Sequence, residues 1–483
     1  MAPVALALAL ALTVAVAGCG PRAQPRTPPV VSIVQDDAEL LHRSPERIGS
    51  TLDDLRRLGV DWVRVTAGWS VIAPAARSVE RPDFDATDPA AYPRGAWRSL
   101  DRLHEMASAR GLALSIDIAF WAPRWAVRRG SARSDRQRDT LDVGAYADFA
   151  EAVARRYPRS VAFTIWNEPN HPAFLLPQWE RAGDGWQATS PHLYRAMVQA
   201  AAPRIEAAAP DALVLIGATA SVGAGAGGSS GERMAPATFV REMACVDAQL
   251  RPLRTPACRS FQPLAGDGWS HHPYSLERPP WRADRRPGNV RMGDLGRLTR
   301  LLRRLHEAGR TDNDLPLYLT ESGYQTTPPD PTAAVSLAEQ ARWLPEAERI
   351  ARAQPSVRSV AQFLVRDLPE RPGRTVRERW GDYQSGLRFE DGRPKPAHAA
   401  FELPLVARRS GVAQVSFWGL VRRGSGSRTA TISVREPDAT WRPIARPRTR
   451  GDGTFEVKLS VDPGRAFQLR SGDRVGAIVN GAR

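Results

Sequence analysis

Two glutamates sit where an apolar run gives way to a polar one. The first belongs to Ile165-Trp166-Asn167-Glu168-Pro169-Asn170 and the second to Tyr318-Leu319-Thr320-Glu321-Ser322-Gly323. A lone Glu at a strand end carries little information, because solvated Glu is common there. Two carboxyl groups delivered to one cleft carry more. One can hold a proton for a leaving oxygen if burial or the other's charge raises its pKa, while the other stays ionised. That pairing is what breaking a glycosidic bond requires. Arg64, in Val63-Arg64-Val65, alternates with apolar neighbours at another strand end, where a guanidinium would keep a nearby carboxylate charged. The run Trp269-Ser270-His271-His272-Pro273-Tyr274 supplies further polar groups. Adjacent strand residues point opposite ways, so His271 and His272 do not share an ion. No metal site and no cofactor is expected, and His271 reads as a core residue. Asp117 is expected to face the interior.

These residues need strands to carry them. Short Val/Ile/Leu-rich runs of the kind buried parallel strands show lie at Val30–Val34, Trp62–Thr66, Ala113–Ile118, Ala162–Trp166, Leu213–Gly217, Gly268–His272, Leu317–Thr320 and Val360–Val365. Amphipathic helical segments separate them. One starts at Ser44-Pro45, presents Ile48, Leu52, Leu55 and Leu58 on one face and stops at Gly59. Ala96–Arg110, Tyr146–Tyr157, Pro191–Ala209, Leu295–Ala308, Ala333–Ala353 and Pro396–Leu403 repeat the pattern. Eight strands each followed by a helix predict an α/β fold, a (β/α)8 TIM barrel over 30–404 with long loops at its functional end. A doubly wound sheet is the weaker alternative, because no Gly-rich phosphate loop follows the first strand. From about residue 405 to 483 the texture changes to alternating runs separated by turns, predicting a small antiparallel β domain, sandwich-like, that caps the barrel or holds an acidic polysaccharide.

The motifs around the glutamates resemble the clan A retaining glycoside hydrolases, with family 39 nearest and family 5 next, over about residues 30 to 404. The resemblance implies that Glu168 is the acid/base and Glu321 the nucleophile. It implies that Asn167 hydrogen-bonds the 2-hydroxyl of the cleaved sugar. His272 and Tyr274 match the clan's His-x-Tyr, whose Tyr hydrogen-bonds the nucleophile. Aromatic residues fit the same picture, because flat rings pack against the C–H faces of pyranoses. Trp69, Phe120, Trp121, Trp125, Trp179, Trp186 and Trp380 follow strands 2, 3, 4 and 8, and Trp69, Trp121 and Trp380 are expected to touch sugar. Gly223 to Gly231 reads as a flexible loop, and Thr219 to Asp267 as a lid or rim.

The rest of the chain bounds the setting. It has 483 residues, 42% hydrophobic and 25% charged, with a net charge of +15. The basic residues are almost all Arg; only Lys395 and Lys458 are Lys. They are scattered, with no basic stripe interleaved with aromatics, so no nucleic-acid partner is expected, and no protein partner is implied. Ala2–Gly18 is an apolar run ending in Val16-Ala17-Gly18-Cys19, which resembles a bacterial lipobox. Residues 1–19 thus read as a signal with Cys19 lipidated, and 20–29 as a tether. The expectation is an exported lipoprotein anchored to a bacterial membrane at Cys19. In an oxidising compartment Cys245 and Cys258 read as a disulfide. Two readings compete with a glycosidase. A catalytically inactive glycan-binding barrel would have lost one Glu, and both are present. A metal-dependent hydrolase would need ligands after the first strand, and Val30–Asp36 holds no His-x-His.

Overall fold

A computed structural model describes residues 30–127, 140–422 and 428–482. The signal, tether and Cys19 fall outside these residues. Eight parallel strands close into a barrel: β1 (Val31–Gln35), β2 (Trp62–Gly68), β3 (Ala113–Ala119), β4 (Ala162–Ile165), β5 (Leu213–Ala220), β6 (Gly268–His272), β7 (Leu317–Leu319) and β8 (Val357–Phe363). Strand β1 pairs with β2 on one side and with β8 on the other, in register Val31 to Ser359, which closes the ring. All eight predicted strands are present. The last begins three residues earlier than the apolar run indicated.

The helices form for the reasons their sequences give. In Pro45–Leu58 the Ser44 hydroxyl caps the N-terminus, accepting from the Arg47 N–H at 3.4 Å, and Pro45 supplies the first turn. Ile48, Leu52, Leu55 and Leu58 are buried against the barrel. Gly59 ends the helix at φ +79°, where any side chain is strained and a Cβ would also strike the Cβ of Arg422. Among the described residues no helix is long and apolar enough to cross a membrane.

Beyond Leu403 the chain builds two antiparallel sheets. One contains Leu405–Gly411, Gln414–Leu420 and Thr454–Ser460; the other centres on Thr431–Arg435 and Ala466–Ser471, with Trp441–Ala445 at one edge. Their facing side chains, among them Val415, Phe417, Ile432, Phe455, Phe467 and Leu469, form a core separate from that of the barrel. Arg422 crosses back to the barrel. Its guanidinium is buried, donates to Glu348 at 2.7 Å and to the Phe401 carbonyl, and lies 4.1 Å from the centre of the Phe401 ring.

Candidate active site

The end of β4 is irregular, and the irregularity aims Glu168. Trp166 and Glu168 both have positive φ, +59° and +38°, which costs on the order of 1–3 kcal/mol each for residues with a side chain. Two buried tyrosines on the surrounding helices satisfy the backbone groups this distortion frees. Tyr146 donates to the Ile118 carbonyl at 2.7 Å and accepts from the Trp166 N–H at 3.1 Å. Tyr194 donates to the Ile165 carbonyl and accepts from the Gly217 N–H, both at 2.7 Å. Gly217 lies in a bulge of β5, at φ +101°, where a Cβ would lie 2.4 Å from the Trp269 ring. The bulge presents the Ala218 carbonyl to the Glu168 N–H at 3.0 Å.

At the mouth of the barrel the structure brings Glu168, Glu321, Arg64, His272 and Tyr274 together. Arg64 is completely buried; it donates to Glu321 Oε1 at 2.8 Å and to Gln35 Oε1, and it forms an ion pair with Asp117 Oδ1 at 3.1 Å. Tyr274 donates to Glu321 Oε2 at 3.1 Å. His272 Nδ1 lies 3.0 Å from Glu168 Oε1 and 3.7 Å from Glu321 Oε2. One carboxylate oxygen of each Glu and a ring nitrogen of His272 all lie within 4.8 Å of one another. Asn167 is buried beside them, and its Oδ1 has no hydrogen-bond partner among the described residues.

The electrostatics are unequal. Glu321 faces a guanidinium and a phenol that remains an O–H donor, because burial and Glu321 itself push the Tyr274 hydroxyl well above its ordinary range. Burial pushes Glu168 up, but the hydrogen bond from His272, with the charges of His272, His171 and Arg233, outweighs it and holds the carboxyl below its ordinary value. An upward shift was the sequence-based expectation for a proton donor. Asp117, buried beneath Arg64, is pushed up to about 7 by burial, against the pull of Arg64. It faces the interior, as expected. His271 is likewise internal, with Thr219 and the Val290 carbonyl as partners.

Glu168, His272 and Glu321 are close enough to surround a cation. Arg64 already places a fixed positive charge on Glu321, so the donor set does not favour a second one. The other candidate group joins His192 to Cys245 and Cys258, whose sulfurs are consumed in a disulfide. That bridge spans a sequence separation of 13 and packs against the helix Ser190–Ala208, whose Arg195 donates to the Met243 and Ala257 carbonyls. Only the first part of the segment after β5 reaches the cleft, lining it with Ala220, Ser221, Val222 and Arg233.

The cleft has a volume of about 760 Å³ and its walls include Glu168, His171, Tyr274, Trp380 and Tyr383. Trp380 thus lines it. Trp121 is 39% exposed and is oriented by a bond from its Nε1 to the Ala173 carbonyl at 3.0 Å. Trp69 corrects its prediction as a sugar platform. It is 1% exposed, stacks on Phe149 and meets Trp125 and Tyr146 edge-on, so it is core. Sequence reasoning missed Tyr383, which packs 6.4 Å from Tyr274, and Gln35, which shares Arg64. Gln35 ends β1 and was open to the same strand-end argument as Arg64.

No protein-family model and no curated protein matches the sequence. Solved structures do. A family 39 glycoside hydrolase from the gut symbiont Bacteroides cellulosilyticus WH2 superposes with a TM-score of 0.52 at 14% identity, over 92% of this chain and 81% of that one. A GH5_18 variant from Streptomyces cattleya in complex with Manb1-4GlcNAc superposes with a TM-score of 0.50 at 18% identity, over 77% of this chain and 79% of that one. The chain is similar to them in fold: the two families that its motifs resemble are among its structural neighbours.

Proposed function

We propose that this chain is a retaining glycosidase that cleaves O-glycosidic bonds in an oligo- or polysaccharide by double displacement. The observation that carries the reading is the approach of the two carboxylates to within 4.8 Å, with different partners on each. Retaining enzymes hold their carboxyl groups about 5 to 5.5 Å apart, leaving no room for a water opposite the leaving group. Glu321, held by Arg64 and Tyr274, is the nucleophile and forms the bond to the anomeric carbon. Glu168 gives its proton to the departing oxygen.

The downward pull on Glu168 fits its second task. While Glu321 is ionised, its negative charge favours the protonated form of Glu168. Once Glu321 has become an ester, that charge is gone and His272 draws Glu168 back to a carboxylate. It then takes a proton from water, whose oxygen attacks the anomeric carbon and releases Glu321. Asn167 is assigned to the sugar 2-hydroxyl, and Trp121 and Trp380 to sugar faces. The chain is proposed to be exported and tethered through Cys19, on the strength of Val16-Ala17-Gly18-Cys19.

Proton NMR of the first-formed product tests the mechanism once a panel of aryl glycosides and exopolysaccharides has yielded a substrate. The product is expected to keep the anomeric configuration, and an inverted product refutes the nucleophile. Glu321→Ala is expected to fail with every substrate. Glu168→Ala is expected to spare the first step on good leaving groups, with azide rescuing the second.

A further inference from the structure

Resting on the glycosidase reading, we propose that Asp117 is a positioning residue for the nucleophile: it shares the Arg64 guanidinium with Glu321, and its ionisation loosens the hold of Arg64 on Glu321 and speeds the attack on the anomeric carbon.

The geometry gives one cation to three carboxyl groups. Arg64 is completely buried, with Glu321 Oε1 2.8 Å from its Nη1 and Asp117 Oδ1 3.1 Å from its Nη2. Asp37, on the short helix Asp37–Leu41, is the third group that feels the Arg64 charge, and it accepts the Thr66 N–H at 3.0 Å. Strand register sets Asp117 beside Thr66 of β2 and Thr164 of β4. The two close partners of Arg64 are not equivalent. Glu321 accepts hydrogen bonds from Arg64 and from Tyr274. Neither oxygen of Asp117 accepts one among the described residues, although the side chain has no contact with solvent. When two carboxyl groups compete for one cation, the buried one without donors is the one that keeps its proton.

The charges around Asp117 act in the same direction. Burial pushes it up to about 7 against the pull of Arg64; Glu321 and Asp37 add to the rise and His272 opposes it. The Tyr146 and Tyr194 phenols, which feel its charge, are pushed above their ordinary range by burial and stay neutral. At acid pH Asp117 is therefore neutral and Arg64 serves Glu321. When Asp117 ionises, its proton leaves to solvent and Arg64 serves two negative charges, which raises the free energy of the Glu321 carboxylate. The added negative charge also favours the positive charge that develops on the sugar as Glu321 bonds to it. Both effects lower the barrier of the first step. In the ester Glu321 carries no charge, and Arg64 keeps Asp117 as its partner.

The test has two arms, both on the full chain. The first needs no substrate. Infrared difference spectra against pH, with the aspartate carboxyls isotope-labelled, are expected to show a protonated carboxyl that titrates near neutrality and is missing from Asp117→Asn. In Glu321→Gln, where Arg64 has lost one carboxylate, that band is expected to titrate about one pH unit or more lower. This variant leaves Asp117 in place, so the reading stands even where Asp117→Asn fails to fold. The second arm follows kcat/KM against pH on a dinitrophenyl glycoside in Glu168→Ala, where the leaving group needs no acid and the titration of Glu168 is gone. A rise on the order of tenfold is expected through the pH at which the band titrates, and Glu168→Ala/Asp117→Asn is expected to lack it. His272 is present in both backgrounds, so the comparison isolates Asp117. A residue that only props Arg64 would lower kcat/KM by the same factor at every pH. Such a uniform loss, a rise that Asp117→Asn leaves intact, or a band that Glu321→Gln does not move overturns the proposal. If the wild type hydrolyses glycosides with retention and Asp117 shows no coupling to Glu321, only this inference falls. If the band moves and no glycoside is hydrolysed by the wild type, the glycosidase reading falls and the sharing of Arg64 stands.

Discussion

Lys395 is one of two lysines in an arginine-rich chain, and its surroundings say why it is not an arginine. Its ammonium is buried and its three hydrogens have three acceptors: Thr326 Oγ1 and Asp367 Oδ1 at 2.7 Å, and the Gln384 carbonyl at 3.0 Å. A guanidinium is too large and has five donors. Asp367 and Lys395 also bracket the loop that carries Trp380 and Tyr383 into the cleft. Lys395→Met leaves Asp367 buried without its cation, which costs about 3–5 kcal/mol. For a cooperative unit of roughly 400 residues, an unfolding entropy of about 2.1 cal/mol/K per residue turns this into a fall in Tm of about 4–6 °C. The deficit should depend on pH. Burial pushes Asp367 up to about 6 even with Lys395 opposing it, above the 3.8 of an unperturbed carboxyl. A carboxyl whose folded-state pKa is raised binds its proton more tightly in the folded chain, so the folded state gains on acidification. Without Lys395 that value rises further, so the deficit relative to wild type is full above the variant's value and fades as pH falls towards about 6, below which both carboxyls bind their proton. Thermal unfolding of wild type and variant at pH 4.5 and pH 8 is the assay, with Lys395→Met/Asp367→Leu as the control that removes the unpaired charge. Equal losses at both pH values, or a double variant no more stable than the single one, would refute the argument.

Other outcomes follow from the same contacts. His272→Gln removes the group that holds Glu168 down, so the alkaline limb of kcat/KM should move to higher pH; an unmoved limb removes His272 from that role. Tyr194→Phe leaves the Ile165 carbonyl and the Gly217 N–H unpaired, at about 1–3 kcal/mol each in urea unfolding, and kcat should fall because the end of β4 is no longer held. Opening the Cys245–Cys258 bridge by a Ser pair should cost about 3 kcal/mol in the chain-entropy model, and non-reducing peptide mapping should find no free thiol at either position in the wild type. A fatty-acid analogue should label the wild type and not Cys19→Ser; equal labelling contradicts the tether. Removing residues from 405 onward should spare activity on small glycosides, since the residues assigned to chemistry precede that point.

How much of this was legible depends on whether a feature is local. The strands declare themselves because each is a short run buried on both faces, and the two glutamates because each sits where such a run ends. Trp69 was misread because following a strand says nothing about direction: the chain turns straight into the short helix Trp69–Ile72, which directs the ring into the core. The downward pull on Glu168 was invisible because His272 is 104 residues away in sequence and adjacent only in space. The long helix Leu337–Arg352 starts four residues after the predicted boundary, at a Ser336/Glu339 capping box that the Ser-x-x-Glu spacing carried all along.

The seam made by Arg422 bears on how the molecule is built during synthesis. Glu348 lies on a helix of the barrel, yet one of its two arginine partners is supplied only after the barrel sequence has been completed. A nascent barrel emerging from the ribosome therefore lacks Arg422 against the helix Leu337–Arg352 until the small sheets have followed and docked. The two cores then melt together, and a calorimetric scan of the full chain should give one peak, with Arg422→Met splitting or broadening it. A two-peak scan of the wild type would show that the seam does not couple them.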